Sequence, residues 1–455
     1  MSEFKTEGKQ VVDMMNGYPP LNLLPNELVA DACKATLAMP EVDGASAPLD
    51  YGDYTGYFGR KLCSFLGKYD TRTNLSPRRI VPTAGVSNGL NMLTTYFMKR
   101  SGHQKGVVFV EDETYYMSAA VFTDLGVDVV GVPTLGTGIH LEVLERLLEK
   151  HCGPDCEDKR VPLFLYVIPS FNNPTGRTMT KNDRVSLLEL TKKYDLPVVA
   201  DEVYQLLNIT RELQSYINSL EAGDVHPTLR ATKFLSPDLS ESEGRTPCSM
   251  SAFGYPHCYS LGSFAKILAP GLRSGWVEFP SDADADEFVG LGVMGSGGNI
   301  AHFSSCVTAT CMDITDSGSV LWSHILHLRT VYAAKWYALA NSLCKHSAEL
   351  LPPGEDNQVT IGGVGPLGAA QIGGFFVWVR FPQWCSLLSG DELLTLATEF
   401  GVTFRLGSDC MVPVPDYSAN DNFVYGRLCY ARCSLEELEL GGKLICEFAA
   451  SLPRS

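Results

Sequence analysis

Between Arg79 and Trp276, short apolar runs rich in β-branched residues alternate with stretches of helical spacing, and this alternation leaves few folds open. GVVFVED (106–112), DVVGVP (128–133), PLFLYVIP (162–169) and LPVVADEV (196–203) are compact apolar runs rather than alternating ones. A strand of that kind is covered on both faces, as in a parallel sheet. Between them, VSNGLNMLTTYFMKR and TKNDRVSLLELTKKY carry the period of amphipathic helices. The pattern predicts an α/β large domain over 48–297, with a mostly parallel sheet wrapped by helices on both faces.

The texture changes beyond about Gly298. A helical stretch from Ser319 to Cys344 leads to a Pro/Gly-rich loop, then to GGFFVWVRFP and VYGRLCYAR, which read as strands. A closing helix follows, and Ser434 with Glu437 has the spacing of a capping box for it. These elements predict a smaller α+β domain over 298–455, joined by residues 1–47. A chain of 455 residues is long enough for two such cores. The segment 208–258, rich in Ser, Thr, Pro and acids, reads as an exposed insertion within the large domain.

Charge narrows the partners. The formal net charge is −16, which repels phosphate backbones and argues against nucleic acid. No apolar run reaches the roughly 18 residues that cross a bilayer. The first twenty residues lack the apolar centre of a secretory signal and carry Glu3, Glu7 and Asp13, unusual in a mitochondrial presequence. Fourteen scattered cysteines suit free thiols, and the expected location is the cytoplasm. HCGPDC (151–156) groups one histidine with two cysteines, but a closed zinc site takes four ligands and no second pair stands at a usual spacing. It reads as a surface loop, and no metal is expected.

Ligands of open parallel sheets bind outside the carboxyl edge, and four segments end at that edge. In YSLGSFAKILAPGLRSGW (259–276), Lys266 follows an apolar run. Ser263 and Arg273 flank it and suit a phosphate dianion, the arginine through its planar fork. In VVADEVYQLL (198–207), Asp201 closes a strand, where a buried carboxylate needs a partner such as a pyridinium N–H. Tyr204 can donate to a phenolate oxygen on the same ring. In PSFNNPTGRTMT (169–180), Pro174 and Gly176 hold Asn173 at a strand end. In PTAGVSNGLN (82–91), Gly85 turns the chain into a helix starting at about Ser87, whose free N–H groups suit phosphate.

Taken in order, TAG…NNPTG…DEVY…SFAKILAPGLRSGW resembles the class I/II aminotransferases. These are fold-type I enzymes of pyridoxal 5'-phosphate (PLP), with the aspartate-aminotransferase-like fold. Within them the chain is most similar to the aminoadipate/kynurenine aminotransferases and to the aminotransferase-like half of MocR-type proteins. The resemblance implies that Lys266 carries the cofactor as an internal aldimine. It implies that Asp201 and Tyr204 meet the ring nitrogen and oxygen, that Asn173 meets the ring oxygen or substrate, and that Ser263 and Arg273 hold the phosphate. Gly85, Val86 and Ser87 form the phosphate turn; Val86 stands where a polar residue is common and offers only its backbone N–H.

By the same resemblance, Tyr115 of VEDETYYM stacks on the ring. Tyr51 of YGDYTG reaches the phosphate of the second subunit in a homodimer. Arg427 of YGRLCYA clamps the substrate carboxylate, and Tyr18 of GYPP lines the substrate side. The implied activity is transfer of an amino group from an L-amino acid to a 2-oxo acid, 2-oxoglutarate above others. A carbon–sulfur β-lyase, an aminocyclopropane-carboxylate-synthase-like reaction and a non-catalytic regulatory role stay open, because cofactor motifs do not separate them.

Overall fold

The structure is a computed structural model. It describes residues 11–454 apart from 43–45, 53–55, 70, 71, 73, 153–159, 235–248, 363–368 and 418–421. The apolar runs form the centre of a seven-stranded sheet. Its strands are β1 (Ile80–Thr83), β2 (Gly106–Glu111), β3 (Asp128–Val132), β4 (Val161–Val167), β5 (Val198–Asp201), β6 (Cys258–Ser263) and β7 (Gly275–Glu278). Their spatial order is β1-β7-β6-β5-β4-β2-β3. Every neighbouring pair from β6 to β3 is parallel, and β7 alone runs antiparallel to both of its neighbours.

Alternation along β2 shows why these runs are apolar throughout. Val108 and Val110 enter one core with Leu90, Leu93 and Phe97 of the helix Val86–Arg100. Val107 and Phe109 enter the opposite core with Leu144, Leu147 and Leu187 of the helices Leu141–Cys152 and Lys181–Lys193. Both faces are covered, so neither tolerates polar residues.

A second sheet has four strands in the order Thr360–Ile361, Phe376–Arg380, Tyr425–Cys429, Arg405–Leu406, all antiparallel. The helices Ile314–Leu350 and Leu435–Ser451 pack on each other beside it. The first is longer at both ends than its apolar spacing predicts. The capping box on the second forms in both directions: Ser434 N–H donates to Glu437 Oε2 at 2.7 Å and Glu437 N–H to Ser434 Oγ at 3.1 Å. Near the N-terminus, Val12–Asp13 pairs in parallel with Val402–Thr403, and Cys429 N–H donates to Met14 O at 2.8 Å. On that pairing we propose dividing the chain into 48–297 and the combination of 1–47 with 298–455.

Two expectations need correction. The segment 208–258 is not an exposed insertion where it is described. Leu213 and Ile217 of the helix Thr210–Ser219 stand four residues apart and bury one face, and Val225 and Leu229 follow them into the same core. At its far end Ser249 is fully buried, with its hydroxyl on Glu202 at 2.6 Å. Composition hid a helical period that a shorter window displays. His151 is buried as well, in the last turn of Leu141–Cys152, with its ring edge-on to Phe109 at 5.3 Å. HCGPDC therefore does not begin as a surface loop; Cys156 lies outside the described residues.

The strand β7 is held at its outer end by a buried ion pair. Arg72 donates to both oxygens of Glu278, at 3.0 and 2.8 Å, and to Ser251 Oγ at 2.8 Å. Replacing one partner leaves a charge in the interior, which costs about 3–5 kcal/mol. Arg72→Met is expected to lower unfolding stability by that amount in urea titration, whereas Arg78→Met, an exposed surface pair, should change it little.

Candidate active site

The carboxyl ends of β1, β2, β4, β5 and β6 converge on one cavity of about 320 Å³. Tyr115, Asn173, Asp201, Tyr204, Ser263, Lys266, Arg273 and Arg427 all line it, as do Val86, Ser87 and Tyr18. The convergence follows from topology: parallel strands end on one side, and each segment turns into its next helix there.

Lys266 sits three residues beyond the end of β6. Its Nζ donates to the carbonyl of Gly17 at 3.1 Å and lies 5.8 Å from the ring centre of Tyr204 and 5.6 Å from that of Phe375. The side chain is half-buried, and the cavity is the space it opens onto. Desolvation lowers its pKa from the ordinary lysine value, with Arg427 and Arg273 adding to the effect and Cys429 and Asp201 opposing it. A lysine so placed holds its neutral form at lower pH than a surface lysine.

Asp201 closes β5 and is buried. Tyr166 donates to its Oδ2 at 2.8 Å and Val203 N–H to its Oδ1 at 3.4 Å. Burial raises its pKa to about 6, against the pull of these donors and of Lys266. Tyr204 is buried beside it, with its ring 5.4 Å from Phe375 and 6.0 Å from Phe376.

Asn173 and Arg427 meet across the site. Arg427 Nη1 donates to Asn173 Oδ1 at 2.9 Å, which leaves the amide NH₂ of Asn173 for another acceptor. Arg427 Nη2 donates to Met15 O at 2.7 Å, and its guanidinium lies 4.3 Å from the ring centre of Phe376. Arg427 is 3% exposed and its Nε has no hydrogen-bond partner. No carboxylate among the described residues pairs with it.

The opposite end of the cavity is a cradle of backbone and hydroxyl donors. Gly85 ends the β1 turn with φ +89° and caps the helix, which starts at Val86, one residue before the expected Ser87. A Cβ at Gly85 would stand 2.6 Å from Arg273 Nη2 and fill the space between them. Arg273 donates to Ala84 O at 3.2 Å, and Ser263 Oγ accepts from Ala265 N–H at 3.0 Å.

Tyr115 precedes the helix Tyr116–Asp124 and stands edge-on to Tyr116 at 5.5 Å. Tyr18 lies under Arg432, 4.7 Å from its ring centre. Among the expected side chains, Tyr51 is not brought to the chain's own cavity: it is 81% exposed.

Sequence reasoning missed Tyr166, whose only signal is a polar tip in an otherwise apolar strand. It also missed Glu111 and Gly17. Glu111 accepts from Ile168 N–H at 2.7 Å and Asn172 Nδ2 at 3.0 Å, and so fixes the turn that carries Asn173. Its burial raises its pKa to about 8. Gly17 lets the N-terminal segment pass close to Phe376, whose ring a Cβ there would overlap at 2.3 Å.

A lysine of lowered pKa, a buried carboxylate and a helix N-terminus at one sheet edge meet a buried guanidinium from the four-stranded sheet that has no carboxylate partner among the described residues, a set that suits a phosphorylated pyridine cofactor and a carboxylate-bearing substrate. Comparison with known proteins agrees. Residues 25–288 match the family Aminotransferase class I and II, and the chain belongs to it. An uncharacterized protein of Saccharomyces cerevisiae is 27% identical over 94% of this chain and 93% of its own length. Aromatic-amino-acid aminotransferase 1 of Thermococcus litoralis is 28% identical, over 60% of this chain and 55% of that one. The crystal structure of Pyrococcus horikoshii kynurenine aminotransferase superposes with a TM-score of 0.71 at 22% identity, covering 97% of this chain and 91% of that one. The fold is thus that of fold-type I, aspartate-aminotransferase-like proteins, and the chain is a PLP-dependent aminotransferase by family. The residues present fit the cofactor: Val86 and Ser87 at a helix N-terminus line the cavity together with Ser263 and Arg273, a donor set suited to a phosphate, and Asp201 lines the same cavity, as a protonated ring would require.

Proposed function

We propose that this protein moves an amino group from an L-amino acid to a 2-oxo acid, with 2-oxoglutarate as acceptor and Lys266 as the covalent attachment point of PLP. The observation that carries the substrate side is Arg427, a buried guanidinium with an unpartnered Nε and no acid beside it among the described residues, opening on the cavity that Lys266 and Asp201 share. Such a group calls for a carboxylate that arrives with the substrate.

When bound, PLP supplies an aldehyde that exchanges amines and a protonated ring that takes up the electron pair of a broken C–H bond. The chain's residues supply the rest. Gly85, Val86 and Ser87 offer N–H groups and a hydroxyl to the phosphate, with Ser263 and Arg273 completing its shell. Asp201 keeps a proton on the ring nitrogen, and Tyr166 keeps Asp201 oriented. Tyr204 donates to the ring oxygen, and the amide NH₂ of Asn173 donates toward the ring oxygen or the substrate carboxylate. Tyr115 would lie against the ring face. Lys266 would hold the cofactor and, as a free amine, would take up at its Nζ the proton of the substrate α-carbon and give it back. Arg427 and Tyr18 hold the substrate so that this C–H bond faces Lys266.

We further propose a homodimer in which Tyr51, exposed on its own subunit, completes the phosphate shell of its partner. No helix of the described residues is long and apolar enough to cross a membrane. The described cysteines are free thiols, which suits a cytoplasmic protein.

The direct test is a panel of amino donors with 2-oxoglutarate, scoring glutamate and the new 2-oxo acid together. Equal amounts of both are expected with at least one donor; an oxo acid formed with no glutamate would point to lyase chemistry instead. Arg427→Ala is expected to weaken donors and acceptors alike, by about 10- to 150-fold in kcat/KM, the value of a lost charge-assisted hydrogen bond. Arg427→Lys should recover little, since lysine lacks the fork. An amine donor without a carboxylate should lose far less; an equal loss there would remove Arg427 from direct contact.

A further inference from the structure

Hydrogen bonds alone do not account for how Arg427 is held. Its two terminal nitrogens donate to Asn173 Oδ1 at 2.9 Å and to Met15 O at 2.7 Å, and its buried Nε has no partner. In the four-stranded sheet Arg405 stands directly opposite it across an antiparallel pair. Residues so placed project from one face with Cβ atoms about 5 Å apart, and like charges there repel. Among the described residues no carboxylate pairs with Arg427, and Arg405 has the partly exposed Asp409 at 3.3 Å. Some group other than an acid has to make this pair tolerable.

Tyr116 is in place to do so. The guanidinium of Arg405 lies 4.4 Å from its ring centre and that of Arg427 6.0 Å, so one aromatic ring serves both cations. The face of such a ring is electron-rich and attracts a cation without forming an ion pair. Tyr116 opens the helix Tyr116–Asp124, is half-buried and lines the cavity, whereas Arg405 lies outside the lining. Its place over the sheet is set by the main chain. Thr114 N–H donates to Cys410 O at 3.0 Å and Val412 N–H to Asp112 O at 2.8 Å, which ties the turn before Tyr116 to the segment that follows Arg405–Leu406. A carboxylate at this position would neutralise Arg427 and compete with a substrate for it. An aliphatic side chain would leave the two guanidiniums to repel.

We propose that Tyr116 is a positioning residue whose ring holds the Arg427 guanidinium in place beside Arg405 and leaves it free for the substrate carboxylate. The inference rests on the reading of Arg427 as the carboxylate clamp. Tyr116 acts through Arg427 and touches no particular substrate side chain, so its effect falls on carboxylate ligands of every kind. The ring makes the contacts and the hydroxyl does not, so phenylalanine should serve equally well.

The test is calorimetric titration of the PLP-loaded enzyme with pentanoate, an unreactive ligand that carries one carboxylate. Tyr116→Leu is expected to bind pentanoate about 2- to 30-fold more weakly, the range of a cation–ring contact, and Tyr116→Phe to stay within about twofold of the unaltered enzyme. Arg427→Gln should weaken pentanoate by itself. Adding Tyr116→Leu to it should cost nothing further, because the ring acts only through the guanidinium. Urea unfolding and PLP retention in dialysis read the integrity of each variant separately. A loss in Tyr116→Phe equal to that in Tyr116→Leu, no loss in Tyr116→Leu, or an undiminished loss on the Arg427→Gln background would each overturn the assignment. If Arg427→Gln leaves pentanoate unchanged, the clamp falls and this role with it; a loss in Arg427→Gln with none in Tyr116→Leu removes Tyr116 alone. Pentanoate is not turned over, so these results stand apart from the donor panel, which tests amino transfer itself.

Discussion

Lys266→Ala is expected to abolish turnover, with kcat lower by about four orders of magnitude or more, the upper range for loss of a positioned acid–base group. The covalent role proposed for it would add to that loss. Glutamate formation from 2-oxoglutarate is the measurement. The same variant should still retain PLP in equilibrium dialysis, because the Gly85–Arg273 cradle and Asp201 do not depend on the amine. In the unaltered protein, borohydride should fix the cofactor to the peptide that contains Lys266. Near-complete activity in Lys266→Ala, or label on another lysine, would remove it from the chemistry. The pH profile carries a second check. Burial first, then Arg427 and Arg273, lower the pKa of Lys266. Its neutral form is therefore available below the ordinary lysine range once the amine is free, so the acid limb of kcat, which reports the substrate complex, should lie below that range. Arg273→Gln, which removes one of these cations, should move that limb upward.

The residues of the candidate site differ in how legible they were, and the difference is one of range. Lys266, Asp201, Asn173 and Gly85 each sit where a strand run stops, and a strand end followed by a turn is a local pattern. Arg427 is legible for the same reason, as a charge in the apolar run of Tyr425–Cys429. What no local window contains are the partners that make these groups work. The carbonyl that receives Lys266 is Gly17, and the carbonyl that receives Arg427 is Met15, both delivered from the opposite end of the chain. Tyr166 reaches Asp201 only because β4 and β5 are neighbours in parallel register. Arg405 faces Arg427 only through the pairing of two strands, one of them two residues long, too short to give a periodic signal. The fold was legible for a related reason: a strand covered on both faces must be apolar at every position, which leaves a strong mark. The segment 208–258 was misread because its amphipathic helix has seven of its ten positions polar, and average composition hides a period. Tyr51 stands apart, since nothing within one chain brings it to a site.

Asp201→Asn should separate stability from catalysis, with opposite signs. The folded chain holds this carboxyl at about 6 against an ordinary 3.8, chiefly because burial penalises its charge. The native state then binds this proton more tightly than the unfolded chain does. Unfolding free energy therefore falls as pH rises from about 4 to about 6, and above that range the ionised carboxylate remains a full cost. Asparagine has the same shape, can still accept from Tyr166, and carries no charge. Without PLP, the variant is expected to be more stable than the unaltered protein at pH 8, by up to about 3 kcal/mol, and equal to it near pH 4. With PLP the order reverses in function. On the proposed binding mode Asp201 would then face a cation at the ring nitrogen, and its charge would be the means of keeping a proton there. Asparagine cannot hold that proton, and the loss of a charge-assisted hydrogen bond lowers kcat by about 10- to 150-fold with little change in KM, since the ring's charge matters most in the transition state. Urea unfolding of cofactor-free protein at the two pH values and steady-state kinetics of the loaded enzyme read the two halves separately. A variant less stable at pH 8 would mean that Asp201 is already compensated within the fold. A loss confined to KM would mean that it holds substrate and does not govern the ring's proton.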